Sequence, residues 1–180
     1  MLERSQTPLD IAVLYNQTSA AEWLIDASVF FGPDNLVASA RCEKPVILQS
    51  LLDRGSFDNK TLRIALFRAV QTGRESSAKN LLGAGASVTF AILKTAIELD
   101  HLTIIKCLIA AGADVSSRGD NGETLLYAVR SPSVATMILE QDLGLADIRS
   151  SSGESPLNFL YAKLFRDQDV DLASIAQVLL

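Results

Sequence analysis

The chain has a single histidine, His101, and two cysteines, Cys42 and Cys107. So little imidazole and thiol excludes a disulfide framework as the basis of the fold and leaves too few soft ligands for a zinc site. No Cys–His pair can be assembled as nucleophile and base either. Both cysteines fall in apparent helical runs, where a free thiol behaves as a small buried hydrophobe. Basic residues never occur side by side, and the formal net charge is −5. That balance argues against a nucleic-acid backbone as the main ligand, which needs clustered Lys and Arg. No apolar stretch approaches the 18 residues of a membrane span, and no basic start leads into an apolar run. An intracellular, cytoplasmic protein is expected, with the nucleus as an alternative. Aromatics are scarce at 6% although 48% of the residues are hydrophobic. The apolar surface is therefore mostly Ala and Leu, which suits closely packed helices better than strands.

What is present is repetition. The stretch HLTIIKCLIAAGADV (His101 to Val115) is an apolar helical run closed by Gly-Ala-Asp-Val. Gly85-Ala86-Ser87-Val88 lies one 27-residue step before Gly112-Ala113-Asp114-Val115, and Gly55 follows Leu51-Leu52 as Gly85 follows Leu81-Leu82. Twelve residues separate Ala12 from Leu24, Ala69 from Leu81 and Ala96 from Leu108. Thr7-Pro8-Leu9, Gly122-Glu123-Thr124 and Gly153-Glu154-Ser155-Pro156 mark restarts of the unit. Repetition at this period denotes an array of supersecondary units, each unable to bury its own apolar faces.

These residues resemble ankyrin repeats, whose unit opens on Gly-x-Thr-Pro-Leu-His-x-Ala and ends on Leu-Leu-x-x-Gly-Ala-Asp-Val. The resemblance covers essentially all 180 residues in about six units, near 5–31, 32–61, 62–88, 89–119, 120–150 and 151–180. It implies an all-α solenoid of stacked helix-turn-helix units in a single array, with short or missing β-hairpin fingers. The Thr positions fall at Thr7, Asp34, Ile64, Ala91, Thr124 and Ser155, spaced by 27, 30, 27, 33 and 31 residues. The family spacing is 33, and aligning the third and fourth units puts the missing residues in the finger. A full finger is expected near Val115–Gly122 and blunted ones near 28–33 and 88–90. The family histidine that ties adjacent units is replaced by Asp10, Phe67, Lys94, Tyr127 and Asn158. The fifth unit is short around Pro132, and the sixth carries an insertion KLFRDQDVD. Both ends read as cut rather than capped, so a piece of a longer protein is expected.

Local signals agree with this frame. Thr7 and Ser155 precede prolines, so a hydroxyl cap and a proline in the first turn should open two helices, and Pro45 another. Gly55, Gly85 and Gly112 stand where helices end, in places that favour left-handed backbone. His101 reads as a local helix cap. The Gly-x-Gly of LLGAGAS lacks the strand context of a phosphate cradle. Asp167, Asp169 and Asp171 read as a solvated loop without the glycine and glutamate of a calcium site. Arg118-Gly119-Asp120 reads as turn chemistry at a finger tip. The sequons at Asn16 and Asn59 carry no weight in the cytosol.

No catalytic residues, metal site or cofactor are expected, and the protein is read as no enzyme. The resemblance implies a protein–protein interaction module that binds another protein, or other domains of the same chain, through its concave face and finger tips. Nucleic acid and membranes are not expected partners, and the oligomeric state is left open. Mapped onto the unit, the partner-binding surface comprises Leu14, Tyr15, Gln71, Thr72, Glu98, Leu99, Arg118, Asp120, Asn121, Glu123 and Arg130. The alternative is a regulatory ankyrin region of a larger enzyme or signalling ATPase whose catalytic part lies outside this chain.

Overall fold

The structure is a computed structural model describing residues 7–27, 30–167 and 170–179, with the side chains of 164–167 and 170–173 outside that description. All regular elements among the described residues are helical. They group into two compact units, Met1–Ser87 and Val88–Leu180.

In the first unit three helix pairs follow one another: α1 (Pro8–Leu14) with α2 (Thr18–Asp26), α3 (Pro33–Ser39) with α4 (Val46–Arg54), and α5 (Asn59–Gln71) with α6 (Glu75–Gly83). First helices stack on first helices, α1 on α3 on α5, and second on second, α2 on α4 on α6. The second unit pairs α7 (Phe90–Glu98) with α8 (Leu102–Ala110), then a 3-10 turn (Leu125–Ala128) with α9 (Pro132–Gln141). A further 3-10 turn (Leu143–Ala146) precedes α10 (Pro156–Asp167) and α11 (Val170–Val178). Here α7 packs on the first 3-10 turn, that turn on α10, and α9 on α11.

The periodic small and large positions explain the stacking. Ala12, Ala69, Ala96 and Ala128 are buried, as are Leu9, Leu36, Leu66, Leu93 and Leu126 of the first helices and Leu51, Leu81 and Leu108 of the second. Each such leucine contributes about 1.5–3 kcal/mol by leaving water. Alanine on the facing side lets the backbones approach without voids. Within α8, Ile104, Ile105 and Leu108 are fully buried while Ile109 is only half-buried. Leu24 departs from its counterparts: Ile25 takes the buried place and Leu24 shares an outer face with Pro8, Ile11 and Trp23.

Caps follow the sequence in part. Asp10 N–H donates to the Thr7 hydroxyl at 3.1 Å, and the Asp10 carboxylate accepts the Thr7 N–H in return at 2.7 Å, a closed capping box. Asn158 N–H donates to the Ser155 hydroxyl at 3.2 Å. Pro45 is the N-cap of α4. His101 occupies the N-cap of α8, yet its imidazole caps nothing; the backbone carbonyl alone receives Ile105 N–H at 2.9 Å. Before it, Asp100 takes the left-handed conformation (φ 55°) of the turn between paired helices, as do Asn16 (φ 52°) and Gly73 (φ 67°). Asn and Asp tolerate that region better than other side chains.

Three expectations are corrected. Gly85 and Gly112 are left-handed, at φ +90° and +85°, but Gly55 is extended, with φ −102° and ψ 155°. Its requirement is room: an added Cβ would lie 2.6 Å from the Phe57 ring, 2.8 Å from Phe31 and 2.9 Å from the Leu51 carbonyl. Cys42 sits in the bend between α3 and α4, outside any helix. It is half-buried, its S–H points at the Val13 carbonyl 3.5 Å away, and burial pushes its thiol pKa up. Pro132 opens α9 rather than lying between two full helices. A residue before proline is held extended, so the shortened fifth unit loses length from its first helix, which shrinks to a single 3-10 turn.

The fingers also follow spacing. Residues 84–89 join α6 to α7 in six residues, with no hairpin among them. Between α4 and α5 the finger is replaced by helix. Asp58 caps the Thr61 N–H at 2.9 Å, so α5 starts five residues before Ile64. Asn59 of the sequon lies in that first turn, holding Ser87 at 2.7 Å. A hairpin does form at 119–123, where Gly119 N–H meets Glu123 O at 2.9 Å and a turn closes from Gly122 N–H to Gly119 O. A second forms at 150–154, and Ser151 N–H joins the two through Asn121 O at 2.8 Å. Residues 28 and 29, and most of the Asp167–Asp171 segment, lie outside the described residues and side chains.

Candidate functional site

Three of the five positions where the histidine of the repeat pattern is replaced, Asp10, Lys94 and Tyr127, tie neighbouring repeats. Asp10 Oδ2 serves its own helix cap, while Oδ1 accepts from the amide of buried Asn35 at 2.7 Å; Asn35 in turn accepts Gly32 N–H at 2.9 Å. One carboxylate therefore joins α1 to the start of α3. Tyr127 reaches across to the second hairpin: its hydroxyl donates to the Glu154 carbonyl and accepts from Ser150 N–H at 3.2 Å. Its ring leans on Phe159, with centroids 5.3 Å apart. Lys94 extends from α7 to the first hairpin, where Nζ donates to Glu123 Oε1 at 2.7 Å; Glu98 Oε1, one turn on, lies 3.9 Å away. The Glu123 hydrogen bond, partly offset by burial, raises the Lys94 pKa and keeps it charged.

The ties of Lys94 and Tyr127 border a groove of about 450 Å³ in the second unit. Lys94, Glu98 and Leu99 come from α7 and its end, Tyr127, Ala128 and Arg130 from the 3-10 turn and its exit, Phe159 and Lys163 from α10, and Glu123 from the hairpin. First-helix elements of three successive repeats thus supply one surface. Arg130 donates from its guanidinium to the Glu98 carbonyl at 3.2 Å, and the Ser131 hydroxyl to Asp100 at 2.7 Å, which fixes the exit loop.

Of the residues expected at a partner surface, Glu98, Leu99, Glu123 and Arg130 converge on this groove. Asn121 and Glu123 line an adjoining hollow with Ser150, Ser151 and Ser152. Arg118 and Asp120 are exposed on the hairpin, away from the groove lining. Glu123 is half-buried and committed to Lys94. In the first unit Leu14 and Tyr15 are exposed at 64% and 68%, beside the left-handed turn at Asn16. Gln71 and Thr72 are exposed at the equivalent turn before Gly73, with Gln71 accepting from Arg68 at 3.0 Å and the Thr72 hydroxyl donating back to the Arg68 carbonyl. Lys94, Tyr127, Phe159 and Lys163 were not expected at the surface site. Two of them stand at the altered histidine positions, the one signal that could have found them. Phe159 and Lys163 share a helical face at i, i+4 spacing, legible only once α10 is placed. No group of three or more His, Cys, Asp or Glu arranged to hold a metal exists among the described residues, and no helix there is long and apolar enough to cross a membrane.

Helix pairs stacked first on first and second on second, with hairpins projecting between them, define a helical repeat protein. Comparison with solved structures specifies the type. The chain is similar to the ankyrin-repeat protein EF0377, with TM-score 0.77 and 17% identity over 98% of each chain. It is similar to the ankyrin-repeat domain of Bcl-3, a member of the IkappaB family, with TM-score 0.60 and 17% identity over 97% of this chain and 100% of that one. The human ASB11 ankyrin-repeat domain aligns with TM-score 0.64 and 17% identity over 96% of both. The chain has the ankyrin-repeat fold. No family model and no curated protein sequence matches it.

Proposed function

We propose that this chain is a non-catalytic protein-binding module whose principal contact surface is the groove of the second unit. The observation that carries this reading is the groove itself, which places half-exposed Leu99 and the Tyr127–Phe159 pair among five charged side chains. Apolar and aromatic groups ringed by charge are the composition of interface centres. The ties of Lys94, Tyr127 and Arg130 hold the surface in shape before a partner arrives, which lowers the ordering cost of binding. Arg118, Asp120 and Asn121 on the hairpin would flank the bound partner. Leu14, Tyr15, Gln71 and Thr72 form the corresponding turn-side contacts of the first unit.

The test is capture of partners by the whole chain from a lysate of its source cells. Wild type is compared with Leu99→Lys in the groove and with Lys106→Glu on the exposed face of α8, all three checked by circular dichroism. Loss of a captured protein with Leu99→Lys alone supports the reading. Equal capture by all three places the interface elsewhere.

A further inference from the structure

We propose that the groove takes an acidic peptide segment, one in which a carboxylate side chain neighbours a large apolar one. This rests on the reading of the groove as the binding surface, and it concerns what the groove selects. Three cations and two carboxylates line it, the opposite balance to a chain of net charge −5. Their pairing makes the imbalance usable. Both carboxylates turn to one ammonium, with Glu123 at 2.7 Å and Glu98 at 3.9 Å from Lys94 Nζ. Arg130 and Lys163 have no carboxylate partner among the described residues. Arg130 uses its guanidinium on one carbonyl, 3.2 Å away, leaving most of its five N–H donors for a ligand. A guanidinium so placed matches a carboxylate with two parallel hydrogen bonds.

Beside these cations lies the apolar part: Leu99, 44% exposed, Ala128, and the Tyr127 and Phe159 rings. A groove of about 450 Å³ has room for a few side chains. A carboxylate set against Arg130 and Lys163 and an aliphatic or aromatic group set against Leu99 and Phe159 would satisfy both halves at once. A nucleic-acid strand fits less well. It needs a row of unpaired cations along its phosphates, and here the half-exposed Glu98 carboxylate shares the groove lining with Arg130 and Lys163.

The probe is a bead-displayed library of short random peptides, screened with the fluorescently labelled full chain. The selected peptides should be enriched in Asp or Glu next to Leu, Ile or Phe. A selected peptide is then compared with its amide counterpart, every Glu and Asp replaced by Gln and Asn, by fluorescence anisotropy. The acidic form should bind at least tenfold tighter, and the advantage should shrink as salt is raised. Lys163→Glu and Arg130→Glu should each remove most of that advantage, with Lys163→Gln as the milder variant if a reversal disturbs the circular dichroism. Peptides that lose binding with Leu99→Lys but show no acidic enrichment would overturn the proposed selectivity while leaving the groove as the binding surface. Failure of the library to yield any ligand sensitive to Leu99→Lys would overturn both. Displacement of the acidic peptide by a single-stranded oligonucleotide of equal length at lower concentration would overturn the choice of a peptide.

Discussion

Asn35 carries the sharpest test of how this degenerate array is held together. Its amide donates to Asp10 Oδ1 at 2.7 Å and is buried between α1 and α3. Asn35→Asp keeps the shape and puts a second carboxylate against the first. Two like charges about 3 Å apart at an effective dielectric of about 20 repel by about 5 kcal/mol. Protonating one of them at pH 7 costs about 4 kcal/mol, given an ordinary carboxylate value near 3.9 and about 1.4 kcal/mol per pH unit. Protonation is the cheaper escape, and the acid O–H can then donate to Asp10 as the amide did. The pair therefore holds a proton in the folded state that the unfolded chain releases above about pH 4. That is a raised folded-state value, so its stability is intact below the unfolded value and is lost as pH rises. The expected cost is about 4 kcal/mol at pH 7, falling by about 1.4 kcal/mol per unit towards pH 4. Asn35→Ala removes both hydrogen bonds without adding charge and should cost about 1–3 kcal/mol at every pH in that range. Urea unfolding followed by circular dichroism at pH 7, 5.5 and 4 reads both variants against wild type. A pH-independent cost for Asn35→Asp, or one below about 1 kcal/mol at pH 7, would refute the proposed tie between the first two repeats.

Three further outcomes are expected. Gly55→Ala should destabilise by about 1–3 kcal/mol, through collision with Phe31, Phe57 and the Leu51 carbonyl rather than backbone strain; a neutral melting temperature would contradict this. Tyr127→Phe keeps the ring on Phe159 and should cost about 1 kcal/mol for the lost hydroxyl bonds, with faster amide exchange at Ser150, whose N–H donates to that hydroxyl; unchanged exchange there would remove the tie. Asp58 is held below the ordinary carboxylate range by the Thr61 hydroxyl and then its N–H, and Asp114 by the Ser116 hydroxyl and then its N–H. Depressed folded values mean that this stability is present above about pH 4 and is lost as pH falls through the depressed folded values. Wild type should therefore weaken on acidification below that point, and Asp58→Asn plus Asp114→Asn should flatten the acid limb of stability against pH.

The sequence by itself determined the helix pair, its repetition and, for most of the helices, the side that is buried, Leu24 of α2 being an exception. Those are properties of periodic spacing and of local capping, and Leu9, Leu66, Ala69, Ala96, Thr7 and Ser155 express them without reference to distant residues. It also determined that the finger near 88–90 is absent, because six missing residues do not readily come out of a helix pair. Four of the residues that line the groove, Glu98, Leu99, Glu123 and Arg130, were reachable by mapping the unit. The tertiary structure decided the rest, for reasons that are not local. Gly55 needs its glycine because two phenylalanines, one before and one after it in the chain, close over the same point. Asp10, Lys94 and Tyr127 replace the missing histidine with a carboxylate, an ammonium and a phenol, each paired with a neighbour that only stacking brings within reach. Arg130 and Lys163 sit in different repeats, and that they face one groove with no carboxylate partner among the described residues follows from how the second unit packs.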